Sequence, residues 1–356
     1  MSRAIPRLPA GVGVALLAAI LFGASTPLAK RLVIEVSPVM LAGLLYAGSG
    51  FGLGLLWLLG RLRARSSAEA PLSRRDLPSL GGAVLFGGIL GPVLLMTGLI
   101  NTEASIASLL LNLESVLTAA IAWIVFRENV DRRVFLGMVA IVAGGAVLSW
   151  SQLPHHGIPW GALAIAGACA CWAVDNNLTR AVSGGDPVQI AAIKGGLAGM
   201  VNIGLGFLLG SPLPTAVEIA ACGAVGLAGY GISLVLFILA LRHLGTARTG
   251  AYFSIAPFVG ASLSLLVMRE SPELSFWIAG GLMALGVWLH VSERHAHEHH
   301  HEAMTHSHRH VHDDHHQHEH DFPWDGVEPH SHPHTHAPMV HSHPHFPDLH
   351  HRHDHR

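Results

Sequence analysis

The chain has 356 residues, of which 51% are hydrophobic and only 12% charged, with a net charge of −2. Ordinary soluble domains carry about twice that share of charge, so an ordinary soluble enzyme is excluded and hydrocarbon is the implied solvent. The averages hide two unlike parts: Met1 to Arg294 carries 18 Lys and Arg against 13 Asp and Glu with four histidines, while the last 62 residues carry 3 against 10 and the other 24 histidines.

Apolar stretches long enough to cross about 30 Å of hydrocarbon recur ten times. They are expected at 11–32, 38–59, 78–99, 104–126, 133–150, 159–180, 187–209, 218–240, 247–268 and 274–290. The N-terminal run MSRAIPRLPAGVGVALLAAILFG has the flank and core of a signal sequence, but it leads directly into similar segments and reads as an uncleaved first span. With no water in the bilayer core to satisfy free peptide groups, every span is expected to be a helix.

Polar residues inside these spans need a partner or a job. In span one, Ser25, Thr26 and Pro27 interrupt the apolar run, and Pro27 removes a donor, so it frees a carbonyl and kinks a helix. Pro92 in span three and Pro257 in span nine are read as kinks in the same way. Span four carries Asn112, Glu114 and Ser115 near its middle. Glu114 is the first candidate for binding a solute or exchanging a proton, with a structural carboxyl hydrogen-bonded to its neighbours as the alternative. Span six carries Asp175, Asn176 and Asn177, and span seven carries Lys194 at a similar depth. Short loops set adjacent spans side by side, so Asp175 and Lys194 form an ion pair, line a cavity, or do both in turn. Tyr252, Tyr230, Asn202 and Trp172 are weaker binding candidates. Cys169, Cys171 and Cys222 sit in apolar context and read as small buried thiols.

Loop charges give the orientation. With the N-terminus in the cytoplasm, fourteen arginines fall on the inner side and only Lys30, Arg31 and Arg269 on the outer side. Both termini are then cytoplasmic. The halves also repeat: NLESVLTAAIAWIVFREN (112–129) aligns without a gap with SIAPFVGASLSLLVMRES (254–271), which sets Glu128 over Glu270. LFGASTPLAKR (21–31) lies over CWAVDNNLTRA (171–181), and Pro38-Val39 over Pro187-Val188. Five spans per repeat turn the second copy upside down, the plan of many secondary transporters.

With FREN (126–129) and MRES (268–271) closing the fourth helix of each half, the chain resembles the EamA-like family of the drug/metabolite transporter superfamily over roughly residues 12–291. Pro257 matches the proline that often stands in that helix, whereas the first half has Ser115 there. The resemblance implies transport, ten helices and a central cavity lined mainly by helices 1 to 4 of each half. It leaves the solute open and does not extend to the tail.

The tail holds closely spaced imidazoles at His295, His297, His299, His300, His301, His306, His308, His310, His312, His315, His316, His318 and His320, with further clusters beyond. It is too polar to bury a core and is expected to be disordered. Imidazoles at this density suit Ni, Co, Zn or Cu, as cargo, as a regulatory signal, or incidentally. Intramembrane carboxyls limited to Glu114 and Asp175 weigh against a metal path. No Walker sequence or H-E-x-x-H is present, so neither an ATPase nor any other enzyme is expected, no cofactor is required, and arginines placed by topology give no reason for nucleic-acid binding.

The expectation is therefore an all-α integral membrane protein with ten transmembrane helices as two inverted five-helix repeats, 11–150 and 158–290, followed by a disordered tail, 295–356. It lies in a bacterial inner membrane, in contact with the lipid bilayer and a small solute, with a homodimer open. Its function is secondary export of a small polar metabolite or amino acid, possible proton coupling included; the alternative is nickel, cobalt or zinc efflux.

Overall fold

A computed structural model describes residues 10–63, 72, 74–126, 132–151, 159–183, 185–292, 296–301, 304–310, 330–336 and 339–344. Glu128, His155, His156 and, in the tail, His295, His312, His315, His316, His318 and His320 lie outside the described residues.

The membrane part is helical throughout. In chain order the helices are α1 (Ala10–Leu32), α2 (Pro38–Arg63), α3 (Leu77–Ala83), α4 (Gly91–Ile100), α5 (Ala104–Leu110), α6 (Leu113–Phe126), α7 (Arg132–Ser151), α8 (Trp160–Val182), α9 (Pro187–Leu208), α10 (Ala216–Gly226), α11 (Ser233–Phe253), α12 (Ala256–Met268) and α13 (Leu274–Val291). Wider π-helical turns, Val84–Leu90 and Leu227–Ile232, join α3 to α4 and α10 to α11. Helix starts follow local chemistry. Pro38 and Pro187 open α2 and α9 at positions that need no N–H donor. Asp186 caps α9 by accepting from the Val188 and Gln189 amides, and Thr215 and Glu218 form a reciprocal capping box on α10.

Of the ten expected spans, seven match helical segments among the described residues that are long and apolar enough to span a membrane. The other three differ for identifiable reasons. Helix α8 has the length, but Asp175, Asn176, Asn177, Thr179 and Arg180 dilute its apolar character. Span nine is divided: α11 runs unbroken through the boundary expected near 240–247, and the interruption falls at Ser254–Ile255 instead. The cause is Pro257, which has no N–H to offer the Phe253 carbonyl, so α12 must start afresh. The apolar part of α13 is shorter than the other spans.

The interruptions recur in both halves. The π turn at 84–90 has its counterpart at 227–232, and the break at Leu111–Asn112 has its counterpart at Ser254–Ile255, in line with the register of the sequence repeat. Elements at corresponding places also pack on one another: α2 on α9, α5 on α12 and α7 on α13. Outward-facing side chains are apolar, with Leu208 84% exposed, Trp150 78% and Phe51 77%. Apolar exposure on this scale is a lipid-facing surface.

Inside, the packing is that of small residues, because lipid offers no hydrophobic drive to push helices together and close van der Waals contact must do it. At the α2–α9 crossing Gly50 lies directly on Gly195 and Gly196, and Gly199 on Ala47. Helix α1 approaches α12 through Gly23 and Gly260. The Gly23 carbonyl is the one left without a helical donor by Pro27, and it fits beside Gly260 only because that residue has no side chain. The backbone stays helical across Pro27; Pro257 stands in the first turn of α12, and Pro92 follows the π turn without a break and offers it no N–H, so side chains must take the carbonyls left open there.

In the tail four segments are described as extended: β1 (Ala296–His301), β2 (Met304–His310), β3 (His330–His336) and β4 (Met339–Pro344). Strand β1 pairs antiparallel with β4, and β2 with β3. Through β2 and β3 His alternates with Ser, Arg, Pro or Thr, a period of two, which is the period of a strand.

Replacing Gly50 with Leu is expected to force α2 and α9 apart and to lower stability by about 2 kcal/mol, as overpacked contacts do. Gly54→Leu, where a side chain would meet nothing within 4 Å, is expected to be neutral. Thermal unfolding of both variants in detergent checks the contrast.

Candidate functional site

The polar groups of four helices and one π turn meet in the middle of the bundle. On α8, Asp175 faces Lys194 on α9: Nζ of Lys194 donates to Oδ1 of Asp175 at 2.6 Å and also contacts Oδ2. Thr179, one turn along α8, donates to the same Oδ1 at 2.9 Å. The two charged side chains are only 8% and 3% exposed, so the pair is desolvated and its members depend on each other.

What lets this carboxylate sit so deep is the π turn. Gly87 lies against the Asp175 carboxylate, and any side chain at 87 would occupy its place. The wider turn also leaves carbonyls without helical partners. Gly87 O accepts from the Tyr46 hydroxyl at 2.6 Å and from Trp172 Nε1 at 3.1 Å, and Gly88 O accepts from Asn202 Nδ2 at 3.1 Å. Side chains of α2, α8 and α9 thus replace the missing ladder bonds, and the turn is locked to three helices at once.

Glu114 stands beside this network at the start of α6, just after the break in the fourth span. The break is a tight turn: Asn112 N donates to Leu109 O at 3.0 Å, and Ser115 Oγ closes it by donating to Asn112 O at 2.8 Å. Glu114 is half-buried and accepts one side-chain hydrogen bond, from Asn176 Nδ2 at 2.7 Å. No cation pairs with it among the described residues.

Glu114, Asp175, Asn176 and Lys194 line one cavity of about 70 Å³ together with Phe22, Tyr46, Trp172, Gly229, Tyr230, Ser233, Leu234, Phe237 and Phe253. Six of these thirteen residues are aromatic in a chain that is 6% aromatic, so the lining is selected rather than average. The rings form a continuous chain: Phe22 meets Trp172, Tyr230 and Phe253 with centroids 5.8, 5.9 and 5.4 Å away, Tyr46 meets Tyr230 at 5.4 Å, and Phe237 meets Phe253 at 4.9 Å.

Of the residues singled out in the sequence, six therefore share the cavity: Glu114, Trp172, Asp175, Asn176, Lys194 and Tyr230. Ser25 is buried against Gly229 of the second π turn, donating to Phe22 O at 2.6 Å, and Thr26 is buried in α1. Asn112 is buried in the break, where Nδ2 donates to Leu109 O at 3.0 Å and Oδ1 has no partner, and it does not line the cavity. Tyr252 is half-buried outside the lining. The residues missed were Gly87, Tyr46 and the phenylalanines, and the Gly-Gly doublet at 87–88 was the one signal available for the first.

A second polar cluster closes the end of the bundle where α1 stops. Lys30 Nζ donates to Thr102 O at 2.9 Å and to the Leu99 carbonyl at the end of α4, while the Glu270 carboxylate accepts from the Ala104 and Ser105 amides at 3.0 Å each, at the start of α5. A cation on a helix C-terminus and an anion on the next N-terminus both suit the local dipoles. Partial burial beside Glu270 and Glu273 holds the Glu103 carboxyl above its ordinary value, opposed by Lys30. In α13, His290 Nε2 shares a hydrogen bond with Val134 O at 3.0 Å, a packing contact to α7.

Residues 9–150 and 159–292 each match the EamA-like transporter family. The chain belongs to that family. This EamA-like protein is accordingly a multi-pass membrane transporter. It is 28% identical to an "Uncharacterized transporter" of Methanothermobacter thermautotrophicus over 286 residues, covering 76% of this chain and 83% of the relative. It is 24% identical to the "Uncharacterized transporter YyaM" of Bacillus subtilis over 214 residues, covering 56% and 68% respectively. A crystal structure titled "Crystal structure of protein" superposes with a TM-score of 0.60 at 20% identity, over 79% of this chain and 95% of the other, which shows a shared fold.

Asp175→Asn in this transporter is expected to strand the Lys194 charge and cost about 3–5 kcal/mol, the usual penalty for breaking a buried pair. Asp175→Asn combined with Lys194→Met is expected to recover most of that loss. Thermal unfolding of the single and double variants measures the coupling; losses that merely add would show that the pair is not a unit.

Proposed function

We propose that this transporter is a secondary carrier that exports a small polar solute through the central cavity, with Glu114 as a carboxyl that exchanges a proton during the cycle. The observation that carries the reading is the cavity itself. It sits at the junction of both halves, takes residues from α1, α2, α6, α8, α9 and α11, and holds one carboxylate with which no cation pairs among the described residues. Enzymatic use of the same groups has no support, since the cavity offers no activated nucleophile.

Alternating exposure is supported by the recurrence of breaks and π turns at matching places, which gives each half the same places to bend. At about 70 Å³ the cavity holds a water molecule or two, well short of the several hundred Å³ of an ordinary ligand pocket, so a solute is admitted only when the halves move. The clasp of Lys30 and Glu270 would then be one of the contacts that must open. Arginine asymmetry between loops supports a bacterial inner membrane with both termini in the cytoplasm, and an outward direction remains part of the proposal.

Replacing Glu114 with Gln keeps the hydrogen bond to Asn176 but removes the exchangeable charge. Flux driven by a pH gradient into proteoliposomes is expected to fall at least about tenfold, as for loss of a proton-transfer group. Unchanged pH-driven flux in the folded variant would sink the assignment.

A second reading concerns metal. The strand register sets His306, His308 and His310 opposite His334, His332 and His330, and His297 and His299 opposite His343 and His341. Facing positions on paired strands lie about 5 Å apart, which supports divalent Ni, Co, Zn or Cu binding by the tail. The lining of the central cavity includes neither His nor Cys, which supports the tail as a gatherer or regulator outside the conduit. Removing residues 295–356 is expected to abolish zinc binding in equilibrium dialysis while organic solute flux continues. Loss of flux together with loss of metal resistance would favour metal as the cargo instead.

A further inference from the structure

The charges in the cavity do not stay as three. Asp175 and Lys194 neutralise each other, with Thr179 taking a further lone pair of the carboxylate. Among the described residues Glu114 accepts a side-chain hydrogen bond from the neutral amide of Asn176 and makes no ion pair of its own. The cavity therefore presents one unbalanced negative charge in low dielectric, and a carboxylate so placed needs a counter-ion. The same cavity is lined by aromatic rings in contact with one another, Trp172, Phe22 and Tyr230 among them. A ring face attracts cations, most strongly those that shed water easily, and Trp is the strongest of the rings.

From this juxtaposition we propose that the solute is a monovalent organic cation of alkylammonium or quaternary ammonium type, held by Glu114 through charge and by Trp172 and its neighbouring rings through cation–π contact. This rests on the central cavity being the transport site, and it narrows the solute class. A zwitterion fits less well, because its carboxylate would need a free cation and Lys194 is already taken. A hydrated metal ion fits less well too, because aromatic faces offer no oxygen or nitrogen ligand. Protons and solute then compete for one carboxylate. The charged and titratable groups facing Glu114 are Asp175 and Cys169 on α8, Lys194 on α9 and Tyr46 on α2.

The test is binding to the purified full chain by calorimetry, with choline, its neutral isostere 3,3-dimethylbutan-1-ol, and the zwitterion trimethylglycine as probes. Choline is expected to bind at least about tenfold more tightly than either of the others, and more weakly at pH 5.5 than at pH 8. Glu114→Gln is expected to weaken choline at least about tenfold, Trp172→Leu about tenfold, and the ring-preserving Trp172→Phe only a few-fold, with unfolding curves confirming that each variant is folded. Trimethylglycine or the neutral isostere binding as tightly as choline, with sensitivity to Trp172→Leu, overturns the cation class and leaves the cavity as the transport site. Binding of none of the three likewise overturns it. Choline binding untouched by Glu114→Gln and Trp172→Leu overturns both this inference and the cavity on which it rests.

Discussion

In hydrocarbon a backbone carbonyl that loses its helical donor has no water to turn to, and each one left bare costs several kcal/mol. Every irregularity in this bundle must therefore be answered by another part of the chain, and the answers hold the central site together. The Gly87 carbonyl, released by a π turn, is taken by Tyr46 and Trp172; the Gly88 carbonyl is taken by Asn202. Those bonds bring α2, α8 and α9 onto the turn. Once they are there, Asp175 and Lys194 meet, with Thr179 donating to the same carboxylate, and the two rings that anchor the turn also become walls of the cavity.

The same economy explains the glycines. Their value lies in what they leave open: space for a carboxylate at Gly87 and for an orphaned carbonyl beside Gly260. A membrane helix gains little from apolar burial against lipid, so close approach and satisfied polar groups decide which helices pair. The contrast between a desolvated, balanced pair and a half-buried, unbalanced Glu114 follows from the same arrangement. One is structure, and the other is available.

Much of this was legible in the chain. Apolar length located the helices of the first half within a few residues, and adjacency suggested that Asp175 and Lys194 meet. Three things were not legible. VLFGGIL reads as apolar helix whether its hydrogen bonds close at the α or the π spacing, and only the glycine doublet hints at the wider turn. The ring chain is built from Phe22, Tyr46, Trp172, Tyr230, Phe237 and Phe253, which lie on four helices and a π turn, so no local pattern contains it. The tail was read by composition, which argues against a buried core, whereas its period of two is a statement about backbone pairing that composition ignores.

The breaks in the two fourth spans look alike, but their chemistry is unequal. Ser115 closes the first with a hydroxyl, and its own N–H remains able to turn back to Leu111 O, so α5 and α6 can fuse into one continuous helix by trading one hydrogen bond for another. Pro257 at the second has no N–H to trade, so fusing α11 and α12 there would leave the Phe253 carbonyl without a helical donor. The first break can thus close at no net loss of backbone hydrogen bonds, and the second only at the cost of one. A protein whose halves exchange shapes would swap places imperfectly, and one of its two end states would always rest lower than the other.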